Sequence, residues 1–286
     1  MTLTVVEYTD PMCPWAWGSE PTFRRLRAAL PGARWRRVFG ILFDDGDDPA
    51  PDPAAETAWY HRHLQQIARH TRAPWPAVLE RVALTSWPSS LVARAAQAQG
   101  EAVAERALRR LRETVFLLGR PADTPERALR AVAGIPGLDE ARLAADAASG
   151  RVRASIEQDR RACRAPAPEV LHIDEPGPHN GRAKPVDDDG HRYALPTLVF
   201  QGPEGQAVVP GWRSWAEYTR AAGRVAPGSV REPAPPAPED ALRRYASVTE
   251  VEVGAVQALP GAVSFDTPGG RVWLAEDEAR THPALR

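Results

Sequence analysis

The chain opens strand–helix–strand and, after a long helix-patterned stretch, returns to strand–strand–helix; no other feature limits its fold as much. Residues 3–8 (Leu-Thr-Val-Val-Glu-Tyr) are mostly β-branched or aromatic, the make-up of a buried strand. Residues 13–30 read as a helix, and Arg34 to Phe43 as a second strand, the seed of a parallel sheet. From about Pro53 to Arg164 the period changes. Ala104, Leu108, Leu111, Val115 and Leu118 recur on one helical face, and Thr124-Pro125 supplies an N-cap followed by a proline at the first helical position. Five to seven helices and no strand are expected there. Pro196 to Gln201 and Gln206 to Val209 predict a hairpin, and a helix from Trp212 to Arg224 follows.

That order, β-α-β, helices, β-β-α, predicts an α/β, thioredoxin-like fold with an all-helical insertion between its halves. At 286 residues the chain has room for one large or two smaller units. The expected core is residues 1–52 with 190–225, discontinuous in sequence, and the insertion is 53–165. Residues 166–189 form a long loop, well past the ~12–15 residues at which structureless loops become uncommon. Residues 226–238 are a proline-rich, semi-rigid linker, and 239–286 a small C-terminal extension. Within that extension 239–258 look helical, and 262–275 look like a hairpin turning at Pro268-Gly269-Gly270.

Composition excludes several classes. With 43% apolar residues the chain is not disordered, and a net charge of −1 leaves no electrostatic footprint for nucleic acid or an anionic membrane. The basic residues are all arginine except Lys184, and they are scattered. The opening MTLTVVEYTD has no basic residue, unlike a secretory signal, and no run approaches the ~18 apolar residues of a membrane span. A cytoplasmic location, where thiols stay reduced, is expected. Two cysteines make neither a disulfide scaffold nor a four-thiolate zinc site.

Position separates those two cysteines. Cys13 lies where the first strand hands over to the first helix, and Pro14 suits the first helical position, so Cys13 falls at the N-cap. Free backbone N–H groups and the positive end of the helix dipole favour a thiolate there, which is the nucleophilic form. Pro21 lies inside the same helix and is expected to kink or interrupt it. Val152, Ile156 and Cys163 share one helical face, so Cys163 is expected to be a packed structural thiol rather than a resolving partner.

The strand VVEYTD, the run DPMCPWAWGSEP, the segment TSWPSSLVARAAQAQG and the late ALPTLVF together resemble the DsbA family of thiol–disulfide oxidoreductases. Within it they are similar to the cytoplasmic FrnE-like branch, over roughly residues 2–224. The resemblance implies that Pro14, Trp15 and Ala16 continue the active-site motif after Cys13. It also implies that Leu195-Pro196 is the cis-proline site, whose backbone lies beside the thiol and pairs with substrate. One departure matters: the family pattern is Cys-Pro-Trp-Cys, and the fourth position here is Ala16. The usual dithiol cycle is then unavailable, and what survives is monothiol chemistry through a mixed disulfide or small-thiol adduct. No bound cofactor or metal is expected; the co-substrate would be a low-molecular-weight thiol, and the partner a small thiol or thiol/disulfide substrate.

Two other functions stand beside this one: a thiol-dependent transferase or isomerase acting on a small electrophilic metabolite, and a non-catalytic thioredoxin-fold binding protein. Trp17, with Trp15, is a candidate wall for an apolar substrate cleft, whereas Trp212 and Trp215 read as core. His61, His63 and His70 match no catalytic zinc spacing and read as surface residues. His172, His179 and His191 lie in or beside the long loop, where any could act as acid or base near Cys13. The loop itself is expected to flank the cleft. The run Asp187-Asp188-Asp189 reads as a solvated turn or a weak cation site.

Overall fold

Apolar residues alternating along the first and fifth strands build a sheet with two buried faces. In the computed structural model, which describes residues 2–44, 50–186, 190–232 and 236–286, the first half runs β1 (Thr4–Thr9), α1 (Pro14–Ala29), β2 (Arg34–Phe39), α2 (Pro53–Thr71), α3 (Trp87–Gln97), α4 (Glu101–Phe116). Then come α5 (Pro125–Val132), α6 (Glu140–Ala147), α7 (Gly150–Cys163), β3 (Lys184–Val186), β4 (Gly190–Arg192), β5 (Thr197–Gly202) and β6 (Gly205–Pro210). The chain ends with α8 (Trp215–Val225), α9 (Pro238–Tyr245), β7 (Ser247–Thr249), α10 (Glu250–Val253), β8 (Ala262–Thr267), β9 (Gly270–Ala275) and α11 (Glu276–Ala279). Asp187, Asp188 and Asp189, the expected solvated turn, lie outside the described residues.

The chain divides into two units, residues 1–40 with 156–234 and residues 41–155 with 235–286. In the first, the strand order is β2-β1-β5-β6, with β1 parallel to β2 and antiparallel to β5. Val5 and Phe200, paired across β1 and β5, point to the face covered by Phe23, Leu26 and Leu30 from α1 and its end and by Tyr218 and Val225 from α8. Their neighbours Val6 and Val199 point to the other face and meet Val38 and Ala162. This period of two gives the sheet a helix on each side, the thioredoxin-like arrangement.

Local chemistry moves several boundaries. Arg34 to Phe43 is a strand only to Phe39, because Gly40 leaves the sheet and Ile41 takes a left-handed φ of 51°. α1 runs through Pro21 without interruption: proline deletes only the bond to the Trp17 carbonyl, and buried Phe23 and Leu26 hold the helix on the sheet. The helix expected from Trp212 begins at Trp215, where Ser214 and Glu217 form a capping box. Residues 239–258 are not one helix. Ala246 turns left-handed (φ 60°), β7 pairs with β9, and Thr249 then caps the short α10. The loop 166–189 is also not structureless, since it holds a single 3₁₀ turn at Pro168–Val170 and the strand β3, paired with β4.

The C-terminal residues are more than an extension. They share a unit with α2 to α6, and residues 41–52, read as core, belong with them as well. Their three-stranded sheet β7-β9-β8 packs around Val248, Leu259 and Trp273. Ionic contacts with α4 hold this segment in place. The fully buried Glu113 accepts from Arg109 Nε at 2.7 Å, from the Ser247 hydroxyl, and from His282 Nε2 at 2.8 Å. Ala284 N–H donates to His282 Nδ1, so Nε2 carries the proton. Arg110 on the same helix reaches the Glu278 carboxylate, the Thr281 hydroxyl (2.8 Å) and the Ala133 carbonyl (2.8 Å).

Burial by itself would raise the Glu113 pKa, but Arg109, His282 and Ser247 outweigh it and hold the carboxyl at about 2. A depressed carboxylate contributes stability that is present above its ordinary value of 4.5 and is lost as pH falls toward 2. Glu113→Ala is expected to cost about 3–5 kcal/mol in chemical denaturation of the full chain, because it takes a buried carboxylate from Arg109 and leaves the Ser247 hydroxyl and His282 Nε2–H without this acceptor. It should also flatten the fall in stability across that acid range. A variant as stable as wild type, with the same acid transition, would contradict this assignment.

Candidate active site

The turn after β1 delivers Cys13 to the start of α1. Asp10 accepts two main-chain bonds there, from Met12 N–H at its carboxylate (2.7 Å) and from Cys13 N–H at its carbonyl (3.2 Å). Cys13 is the N-cap, with extended φ and ψ of −86° and 115°. Its sulfur accepts the N–H of Ala16 at 3.4 Å. Pro14, at the first helical position, has no N–H to compete for it. Ala16 is completely buried and brings a methyl group where a second thiol would stand. Trp17, one turn on, donates its backbone N–H to the Cys13 carbonyl (3.0 Å), and its side chain is 4% exposed.

Sheet register brings the distant half of the site to this turn. Tyr8 pairs with Thr197 in the antiparallel β1–β5 ladder, so the residues just before β5 lie beside those just after β1. The Leu195-Pro196 bond is cis. The Cys13 thiol donates to the Leu195 carbonyl at 3.3 Å. That same oxygen accepts His179 Nε2–H at 2.9 Å.

His179 is held tightly. Its ring stacks on Trp15 (centroids 4.9 Å apart, planes at 13°), and Trp15 in turn meets Trp212 at 6.1 Å. Its carbonyl accepts Trp212 N–H (3.1 Å) and Arg213 Nη1 (3.2 Å), while Arg213 Nη2 reaches the Asn180 carbonyl at 2.5 Å. Gly211 permits this approach: its φ is 76°, and a Cβ there would stand 2.4 Å from the His179 carbonyl oxygen. Burial lowers the pKa of His179 to about 4, against the bond to Leu195, and the nearby charges of Lys184, Arg213 and Arg192 act with burial. The ring is therefore neutral near pH 7.

The structure places Cys13, Pro14, Trp15, Ala16, Leu195 and Pro196 together, and Trp17 behind them in α1. Of the three loop histidines, only His179 meets this group; His172 and His191 are exposed. Trp212, read as core, is instead half-buried at the edge of the site, because Gly211 ends β6 beside Pro196 and accepts no side chain in that turn. Asn180-Gly181 and Gly211-Trp212 are the sequence signals that could have pointed to this cluster, since glycine marks places where backbones approach closely. Of the long loop, His179 reaches the Leu195 carbonyl that the thiol also meets. Among the described residues no group of three or more His, Cys, Asp or Glu side chains could hold a metal. No helix there is long and apolar enough to cross a membrane.

Cys163, at the end of α7, is fully buried and not disulfide-bonded. A Cβ on Gly40 would lie 2.9 Å both from its sulfur and from Leu195 Cδ1, so the sulfur packs beside the Leu195 side chain. Burial pushes its pKa up to about 12. Between pH 7 and 9 the native protein is therefore expected to leave Cys163 unmodified by iodoacetamide, and denaturant should expose it. Peptide mass spectrometry showing rapid native alkylation of Cys163 would contradict the placement.

The family model of the DSBA-like thioredoxin domain matches residues 4–166. No curated protein sequence matches the chain. Among solved structures, the cytosolic disulfide reductase DsbM of Pseudomonas aeruginosa aligns over 77% of this chain and 93% of its own, with a TM-score of 0.51 and 19% identity. A structure of the same reductase with GSH aligns equally well, at 18% identity and a TM-score of 0.51. A structure assigned as a DsbA oxidoreductase from Streptomyces coelicolor aligns over 94% of this chain and 98% of its own, at a TM-score of 0.52 and 15% identity. At these identities the solved structures speak for the fold.

Proposed function

Because the chain belongs to the DSBA-like thioredoxin domain family, we propose that it is a thiol–disulfide oxidoreductase in which Cys13 works alone, exchanging with small thiols. The observation that carries this reading is the local partner set of the sulfur. Cys13 Sγ meets the backbone N–H of Ala16 and the carbonyl of Leu195, and the motif position that would supply a resolving thiol holds a methyl group.

The chemistry balances without an added oxidant. The Cys13 thiolate attacks one sulfur of a small disulfide RS–SR, forming Cys13–S–S–R and releasing RS⁻. A free thiolate R′S⁻ then attacks the adduct at the R-bearing sulfur, returning the Cys13 thiolate and releasing RS–SR′. In each step one S–S bond breaks and one forms. At the helix start, the Ala16 N–H and the dipole favour the thiolate as attacking and as leaving group. The second step needs an abundant free thiol, which favours a cytoplasmic setting. The Pseudomonas reductase whose structure holds GSH gives the small-thiol reading a precedent in a similar fold.

Incubation with glutathione disulfide should add one glutathionyl group to Cys13, and free glutathione should remove it. Cys13→Ser should form no adduct and lose exchange activity at least a hundredfold, while insulin reduction by wild type stays near background. Exchange that survives in Cys13→Ser, or a Cys13–Cys163 bridge in oxidised wild type, would overturn the reading.

A further inference from the structure

A thiol that loses its proton 3.3 Å from a main-chain oxygen meets an electrostatic difficulty. As a thiol, Cys13 donates to Leu195. As a thiolate, it faces the negative end of the carbonyl dipole at the same distance. The His179 Nε2–H, 2.9 Å from that oxygen, is already in place when the thiol proton departs to water.

We propose that His179 is a positioning residue for Cys13: its Nε2–H holds the Leu195 carbonyl, and so allows the sulfur to ionise beside that oxygen. The proposal deepens the reading of Cys13 as the nucleophile, and rests on it only for the use made of the thiolate. Three features of the fold serve this one contact. The ring is clamped flat against Trp15. Its own carbonyl is fixed from Trp212 and Arg213. Gly211 leaves the space in which these strands of chain meet.

A donor of this kind must keep its proton and its position while the sulfur titrates. The half-buried ring is held neutral chiefly by desolvation, so an imidazole with hydrogen on Nε2 persists across the range in which a thiol ionises. Among the described residues, the titratable and charged groups near the pair include Asp10, which caps the turn carrying Cys13, the buried Cys163 thiol beside the Leu195 side chain, and Lys184, Arg192 and Arg213 around His179. The three cations keep the ring neutral rather than charge it. His179 thus acts as a fixed dipole and not as a general base.

The test is the pH profile of alkylation of Cys13 by iodoacetamide, read by peptide mass. It uses no disulfide exchange, so it can fail independently of the proposed oxidoreductase activity. His179→Phe keeps a ring against Trp15 and removes the donor. Its profile midpoint is expected to rise by about one pH unit, a roughly tenfold slower reaction on the lower limb. His179→Gln retains an N–H and should recover part of that loss. Wild type should show a single thiol ionisation, with no inflection from a histidine. A His179→Phe midpoint equal to wild type, in protein with a native circular dichroism spectrum, would overturn the proposal. So would equal midpoints in the Phe and Gln variants, should both be raised, since loss of packing alone would produce them.

Discussion

The carbonyl oxygen of Leu195 accepts both the Cys13 thiol and the His179 ring. The site is built around this oxygen. One side of it is supplied by the N-terminal start of α1, another by a loop 166 residues further on, and the acceptor itself by the residue before a cis-proline. Three stretches of chain can converge there only because β1 and β5 are locked in register, with Val5 and Val6 facing opposite cores through Phe200 and Val199. A slip of β5 by one residue would turn Phe200 out of the large core, so hydrophobic burial enforces the register that aligns the site. Fold stability and site geometry therefore rest on the same alternation of apolar side chains.

Much of this was legible in the sequence because it is local. A cysteine before a proline, after a β-branched run, implies an N-cap wherever the helix goes, and Ala16 in place of a thiol is visible without coordinates. The alternating strands and the late proline set the α/β class in the same way. What escaped was non-local. Asn180-Gly181 after His179 marks a close approach of the backbone without saying to what; only the path of residues 179–181 past Gly211 brings His179, and not His172 or His191, to Leu195. Trp212 joins the site for the same reason. The Arg109, Arg110 and Glu113 triplet escaped for another reason, because charges on a helix ordinarily mark its solvated side. Here α4 buries that side too, and partners from residues 247, 278, 281 and 282 satisfy it.

Those buried charges give the C-terminal residues a structural meaning. A tail following a proline-rich linker invites the reading of an appendage, yet Glu113 and Arg110 find their partners in it. Without those partners Arg110 would lose its Glu278 carboxylate, and Glu113 would keep only Arg109 of the donors Arg109, Ser247 and His282, inside a core. The helical unit and the tail are thus mutually dependent, whereas the sheet-bearing unit that holds Cys13 has its own apolar core.

In the function proposed, Ala16 confines Cys13 to one-thiol chemistry. The most direct test is the Ala16→Cys variant, compared with wild type in insulin reduction and in trapping of glutathione adducts. Restoring the second thiol should create insulin-reducing activity well above the wild-type background. The glutathione adduct on Cys13 should become short-lived, because the new thiol displaces it within the same helix. Wild type that reduces insulin as fast as Ala16→Cys, or that clears its adduct without added thiol, would contradict the account.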